Sequence, residues 1–248
     1  RMVGSVDDAE DVTQEILIKM ITKLSAFQGK GGFRTWLYRI TANHVINMKK
    51  RPREFVFSSF ERHTGLLNET PDLDIPDAQS VPVDVRLLVE ETKVSCMMGM
   101  LLCLDRTQRL VLILGSILGM PSEAGAEIMD ISPENFRQKL SRARKQLSNF
   151  MDEKCGLMRK DNPCSCARKT KAAMMAGYID PQHLQFHQAH VQQVKSVVAE
   201  HIQKVDAVLQ LRSQRLFQEH PFLEPPDYVQ IIDNMLDQGA FRAFLNFN

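Results

Sequence analysis

Apolar residues recur along most of this 248-residue chain with the period of an α-helix, and strict strand-like alternation is scarce. In DDAEDVTQEILIKMITKLSAF, Val12, Ile16, Met20 and Leu24 share one face, and acids crowd the first turn, where the helix dipole favours them. Gly29, Gly31 and Gly32 break that pattern before a second helix opens at Phe33. There Phe33, Leu37, Ile40, His44 and Met48 form the face expected to meet a core, with Trp36, Arg39, Asn43 and Lys50 together on an adjoining flank and Arg34, Tyr38 and Lys49 on another. From Pro52 to about Glu91, proline and polar residues replace periodicity, as in NETPDLDIPDAQSVPVD, which predicts a flexible linker. Helical patterning returns from Cys96 to Met151. Asp180-Pro181 opens a further long helix through the preference for a capping acid followed by proline. The pattern predicts an all-α chain of small helical units.

Inside the second block, MPSEAGAEIMDISPENFRQKLSRARKQLSNF divides into a short helix over 122–129, a turn at Asp130 to Ser132, and a second helix capped by Ser132 with Pro133 in its first position. That is helix-turn-helix spacing. Phe136, Leu140, Ala143 and Leu147 form an inward stripe on the second helix, leaving Asn135, Arg137, Gln138, Ser141, Arg142, Arg144 and Lys145 to face outward. A recognition helix needs this division, because polar side chains near its start read base edges while later cations hold phosphates. An amphipathic helix of any bundle would share the stripe.

Charge changes the picture by its distribution. The formal net charge is only +1, yet Lys30 to Arg53 holds seven Lys or Arg and no acid, and Phe136 to Asn149 holds five and no acid. Glu54 to Asp105 between them carries ten acids against three bases. Two basic patches around an acidic spacer create local fields that a phosphate backbone would feel. The first patch also interleaves Trp36 and Tyr38 with its cations. An aromatic plane, an amide and positive charge are what single-stranded bases require, although Trp36 could equally serve a core.

The longest apolar run, Val111 to Met120, is too short to span a bilayer, and no charged-then-apolar leader opens the chain, so a cytoplasmic protein without membrane contact is expected. Five cysteines, an odd number, argue for reduced thiols or a metal site over a disulfide scaffold. No H-E-x-x-H or comparable cluster suggests a hydrolase, and no catalytic residue is expected.

Taken in order, DAEDVTQEILIKM, FRTWLYRITANHVINMKKR, the acidic spacer and LDRTQRLVLILGSILGMPSEAGAEIMDISPENFRQKLSRARKQL resemble a bacterial extracytoplasmic-function (ECF) sigma factor over about residues 6 to 151. The resemblance implies that Asp11, Gln14 and Glu15 dock on the clamp of the RNA polymerase largest subunit. It implies that Trp36, Arg39, Asn43, Lys49 and Lys50 melt the minus-ten promoter element and hold a flipped base, next to the loop from Gln28 to Gly32. The helix-turn-helix would then read the minus-thirty-five element, with the polymerase flap as its neighbour and an anti-sigma factor as a further partner. The implied division is sigma domain two over 1–53, a flexible linker over 54–95, domain four over 96–151, and an extension over 152–248 made of a Cys segment (152–178) and a helical tail (180–248). Two departures stand out: Leu104-Asp105 replaces the family's Leu-Pro, and Gly125 stands at a usually apolar helix position, a glycine expected to weaken the helix by about 1 kcal/mol.

The extension lies beyond a minimal sigma factor of this kind. Cys155, Cys164 and Cys166 with His187 could supply three thiolates and one imidazole to zinc; reduced structural thiols and a redox switch are the other readings. The helix from Leu184 to Leu209 carries an apolar stripe that needs a surface to cover, which points to a regulatory role. An interaction protein with a sigma-like core, holding polymerase or another partner without promoter recognition, is the alternative function.

Overall fold

The computed structural model describes residues 1–29, 32–73, 85–181 and 184–185. The helix expected to open at Asp180-Pro181 is not seen where it is described, since Asp180, Pro181, Leu184 and Gln185 are not helical; His183, His187 and His190 and most of the acidic stretch after Leu73 lie outside the described residues. Within them the chain is helical, and the one bridge between extended segments joins Cys155 and Cys164. No helix among the described residues is long and apolar enough to cross a membrane.

Helix α1 (Val6–Thr22) is capped by Ser5, whose hydroxyl accepts from the Asp8 amide at 3.2 Å, and places Asp7 and Asp8 in the first turn. It buries Val12 and Ile16, while Leu24, expected on the same face, lies beyond the helix and is 47% exposed. Helix α2 (Phe33–Asn47) packs on α1. Its core face is Ala42, His44 and Val45 and excludes Phe33, which is 46% exposed. The helix ends at Asn47, so Lys49 and Lys50 lie past it and do not occupy the wheel positions their spacing predicts.

The expected flexible linker over 54–95 is largely structured. It contains most of α3 (Pro52–Val56), all of α4 (Phe60–Glu69) and the first half of α5 (Val85–Leu102). Low apolar periodicity misled the reading, because these short helices are held by tertiary contacts: Phe57 packs on Leu102 and Cys103, and the His63 ring lies 5.1 Å from those of Phe57 and Phe150. Next come α6 (Arg106–Leu112), which continues as a π-turn over Ile113–Ile117, then α7 (Ser122–Met129) and α8 (Pro133–Lys154). Asp105 replaces the family's proline productively, since its carboxylate caps α6 by accepting from the Gln108 amide at 2.8 Å. The last described helix, α9 (Cys166–Met175), packs on α5.

The two expected sigma domains are not separate beads. One continuous core runs from Val12, Ile16, Ala42 and Val45 through Val94, Met97 and Leu101 to Phe136, Leu140 and Met151. A buried ionic cluster reinforces the junction. Glu54, 3% exposed, accepts from Arg106 Nη2 at 2.7 Å and Nε at 2.9 Å, and from Arg109 Nη1 at 3.0 Å. The same two arginines donate onward, Arg106 to the carbonyls of Ile46, Met48 and Lys49, and Arg109 to those of Met2, Leu101, Leu102 and Leu104. Burial alone would raise the Glu54 carboxyl. The bonds from Arg106, the Arg51 amide and Arg109 outweigh it and hold the group down to about 2.

Gly125 is required and is no weak point. A Cβ built there would sit 2.4 Å from Phe136 Cζ, so the glycine lets the largest fully buried side chain of α8 press onto the backbone of α7.

Gly125→Ala should therefore destabilise the protein by about 1–3 kcal/mol, against the gain helix propensity alone would give; a raised urea midpoint would contradict this packing. Glu54→Gln leaves two guanidiniums without their counter-charge and should cost about 3 kcal/mol. A carboxyl depressed in the folded state contributes stability that is full above its ordinary value of 4.5 and lost as pH falls toward about 2. Urea midpoints of the wild type should drop across that window more steeply than those of the variant, and parallel pH curves would refute the role given to Glu54.

Candidate nucleic-acid interface and thiol cluster

On α1, Asp11, Gln14 and Glu15 are exposed as expected. Glu15 is also held from beneath by a chain of bonds that charge counting did not reveal. Lys19 Nζ donates to His44 Nδ1 at 2.6 Å, which leaves the opposite ring nitrogen to carry the proton toward Glu15 Oε2 at 3.1 Å. Arg51 donates to Glu15 Oε1 at 3.1 Å and lies 3.9 Å from Asp8 and 4.0 Å from Asp11. Burial, then the charge of Lys19, lowers the His44 ring's proton affinity against the pull of Glu15, so a neutral histidine serves as the spacer. One cation from the basic stretch is thus spent on orienting the acidic face of α1.

At the head of α2, Trp36 is half-buried and belongs to an aromatic trio. Its ring lies 5.6 Å from Phe33, nearly parallel at 22°, and 5.5 Å from Phe27. Phe33 and Phe27 meet edge-on at 5.2 Å. The exposed Phe33 therefore extends the stacking surface, and Phe27 stiffens it. Two helical turns further, Asn43 is exposed and lines an open cavity of about 300 Å³ with Lys19, Lys23 and Asn47. Spacing within α2 could not reveal Lys19 and Lys23, because they come from α1 and from the turn after it. Lys49 and Lys50 are exposed beyond the helix end, Lys50 above the Phe55 ring at 5.9 Å. Arg39 departs from expectation. Its guanidinium donates to Asp130 at 2.9 Å, which ties the minus-ten candidate to the turn between α7 and α8.

That turn is the one predicted. Asp130 adopts a left-handed conformation, φ 55°, the only non-glycine among the described residues to do so, and Ser132 caps α8 by accepting from the Asn135 amide at 3.1 Å. Phe136, Leu140, Ala143 and Leu147 are all buried. Asn135, Arg137, Gln138, Ser141, Arg142 and Lys145 are exposed, with Arg137 3.4 Å from Glu123 and Gln138 donating to Glu134 at 3.4 Å. Arg144 must be removed from this outward set. It is half-buried, donates to Ser116 Oγ at 2.7 Å, and has its proton affinity lowered by burial.

The C-terminal cysteines lie close to the rest of the fold. All five cysteines are free thiols. Burial pushes Cys155 up to about 11 and raises Cys164 and Cys166 as well, so these groups are neutral at ordinary pH. Of the expected zinc set, His187 lies outside the described residues, and among those residues no three His, Cys, Asp or Glu side chains stand ready to hold a metal. Cys96, on α5, joins the group instead and contacts His63 Nε2 at 3.8 Å. His63 also meets Cys103 at 3.5 Å from Nδ1, and burial lowers it to about 4.

The sigma-70 region 2 model matches residues 1–54, and the sigma-70 region 4 model matches residues 95–147. An ECF RNA polymerase sigma factor of Mycobacterium tuberculosis, SigG, is 32% identical over 158 residues, covering 59% of this chain and 43% of that protein. The ECF RNA polymerase sigma-E factor of Haemophilus influenzae is 27% identical over 150 residues, 58% of this chain and 75% of the relative. The RNA polymerase sigma factor YlaC of Bacillus subtilis is 28% identical over 151 residues, 61% and 82%. The chain thus spans less than half of SigG and about four-fifths of YlaC. With α1 and α2 inside the region 2 match and the capped turn with the helix that follows it inside the region 4 match, the chain carries the features of both sigma-70 regions and is similar to ECF sigma factors.

Proposed function

We propose that the protein is a promoter-specificity subunit of RNA polymerase that binds core enzyme and DNA and performs no catalysis itself. The observation that carries this reading is the presence, in one chain, of a capped helix-turn-helix whose second helix exposes Asn135, Gln138, Arg142 and Lys145, and of an Asn43-lined cavity on the same helix as an aromatic surface. The exposed acids Asp11 and Glu15, with Gln14, form the core-binding face, and His44 and Arg51 fix its geometry. In promoter melting, one base of the non-template strand leaves the stack and enters the cavity. There the Asn43 amide can pair with its edge while Lys19 and Lys23 meet the backbone. Unstacking costs a few kcal/mol, which the aromatic surface and the cavity contacts offset. Asn135 and Gln138 read the minus-thirty-five element, and Arg142 and Lys145 hold its phosphates. The Cys-bearing extension regulates this core, since α9 packs on α5 and grips both α4 and the segment after it: Lys169 donates to the Leu67 carbonyl at 2.9 Å, and the Leu73 amide donates to the Arg168 carbonyl at 3.0 Å.

Run-off transcription by the full-length protein with core polymerase tests the whole reading. Activity on a pre-melted promoter with none on duplex DNA, or none on either, would favour the interaction-protein alternative. Asn43→Ala should lower open-complex formation on duplex promoters about tenfold with core binding unchanged, a loss of one specific base contact. Permanganate footprints equal to the wild type's would defeat that assignment.

On the recognition helix, Arg142→Ala and Lys145→Ala should weaken binding to every sequence and each reduce the salt slope by about one. Gln138→Ala should change base preference by about 1–3 kcal/mol at one position. Arg144→Ala should instead lower thermal stability, because its guanidinium is bonded inward. Uniform scaling of affinity by all four variants would remove α8 as the reading element.

A further inference from the structure

Four of the five cysteines, Cys96, Cys155, Cys164 and Cys166, line one cavity of about 10 Å³, room for a single water or ion. They arrive from separate elements: Cys96 from the middle of α5, Cys155 from the C-cap of α8, Cys164 from the end of the loop that follows, and Cys166 from the start of α9. Such convergence from distant sequence is not produced by a helical stripe.

The backbone is built to achieve it. The Cys164 amide donates to the Lys154 carbonyl at 3.2 Å, and the Gly156 amide donates to the Cys164 carbonyl at 3.1 Å, so Cys155 and Cys164 stand side by side as paired extended residues. A Cβ at Gly156 would fall 2.3 Å from the Cys164 oxygen, so only glycine allows this approach. Asn162 winds the intervening loop by donating from one amide to the carbonyls of Met151, Asp152 and Cys155 at 3.3, 3.0 and 2.9 Å. A disulfide would make poor use of this arrangement. Joining Cys155 to Cys164 closes a loop that main-chain bonds already close, and it leaves Cys96 and Cys166 without a purpose.

We propose that Cys96, Cys155, Cys164 and Cys166 form a four-thiolate site for a soft divalent metal ion of the zinc class. The thiols surround the cavity without yet standing in a coordination shell, so loading requires side-chain rotation toward its centre. The reaction balances as one M²⁺ plus four thiols giving a tetrathiolate complex of charge 2− and four protons; no oxidant is involved. Lys154 lines the same cavity and brings positive charge to it, as does Lys93, whose Nζ also bonds Glu90 Oε1 at 2.6 Å. The site differs from the set expected from sequence in taking Cys96 in place of His187. It ties region 4, through α5 and α8, to the extension, through α9. It does not depend on promoter recognition.

The test uses the reduced, metal-free full-length chain titrated with cobalt(II) and then zinc(II). One equivalent of cobalt should give a thiolate-to-cobalt charge-transfer band and the visible absorption of a tetrahedral complex, both displaced by zinc. Zinc binding near pH 7 should release about four protons per metal. Cys96→Ser should weaken binding about 100-fold or more, while Cys103→Ser, whose thiol lies outside the cavity, should bind as the wild type does. The absence of a band, release of two protons or fewer, or unchanged affinity in Cys96→Ser would each overturn the site. If Cys96→Ser fails to fold, the proton count on the wild-type chain decides alone.

Discussion

A carboxylate sealed between two guanidiniums sets the shape of this molecule. Glu54 comes from the short helix after the basic stretch, and Arg106 and Arg109 come from the first turn of α6 and the one after it. None of the three charges can remain buried without the others, since the cost of stripping a charge of water is recovered only when the partners are in place. Because Arg106 also takes the carbonyls of Ile46, Met48 and Lys49, the exit from α2 is turned inward at the backbone and outward at the side chains. Lys49 and Lys50 are therefore displayed at the surface by a constraint that lies in another part of the sequence.

This joint contrasts with the one between Arg39 and Asp130. Both of those side chains are well exposed, and an exposed ion pair is worth about 1 kcal/mol or less. Separating the head of α2 from the turn of the helix-turn-helix is thus inexpensive. Separating Met48 to Glu54 from α6 strips a buried carboxylate of both its partners and costs several times more. Motions that free the head of α2 from the helix-turn-helix will follow the weaker joint, with the segment around Glu54 travelling with α6. Asp130 is the sole non-glycine with positive φ among the described residues, and its ion pair gives that conformation a use.

Local chemistry made much of this legible. The cap at Ser132, the turn after Met129 and the buried stripe of α8 follow from residues within one or two turns of each other, and the structure places them as the spacing predicts. What sequence reading lost depends on partners far along the chain. Gly125 looks like a weak helix residue until Phe136 is seen against it, and Arg144 looks like a phosphate contact until Ser116 takes it. The 54–95 stretch hides its helices for the same reason, since they are stabilised by Phe57, His63 and Phe150, whose rings meet only in three dimensions. Phe33 misled in the opposite sense: its period matched the core face, but α2 turns it outward beside Trp36.

The extension obeys the same logic as the core. Its first helix does not hang from the end of α8. Asp72 meets Lys169 at 3.1 Å and Arg168 at 3.4 Å, Arg53 donates to the Tyr178 carbonyl at 3.3 Å, and the Gln185 amide reaches Glu91 at 2.8 Å. These bonds engage the segment after α4, the residue beside Glu54, and α5, which are the elements that join the region 2 helices to the region 4 helices. A segment anchored at all of these points senses the separation of the two regions, because any change in their spacing must break one anchor or carry it along. Whatever tightens or loosens the anchoring of α9 therefore acts on the same equilibrium as the weak joint at Arg39. For the regulation proposed above, the differential the extension must supply is only a few kcal/mol.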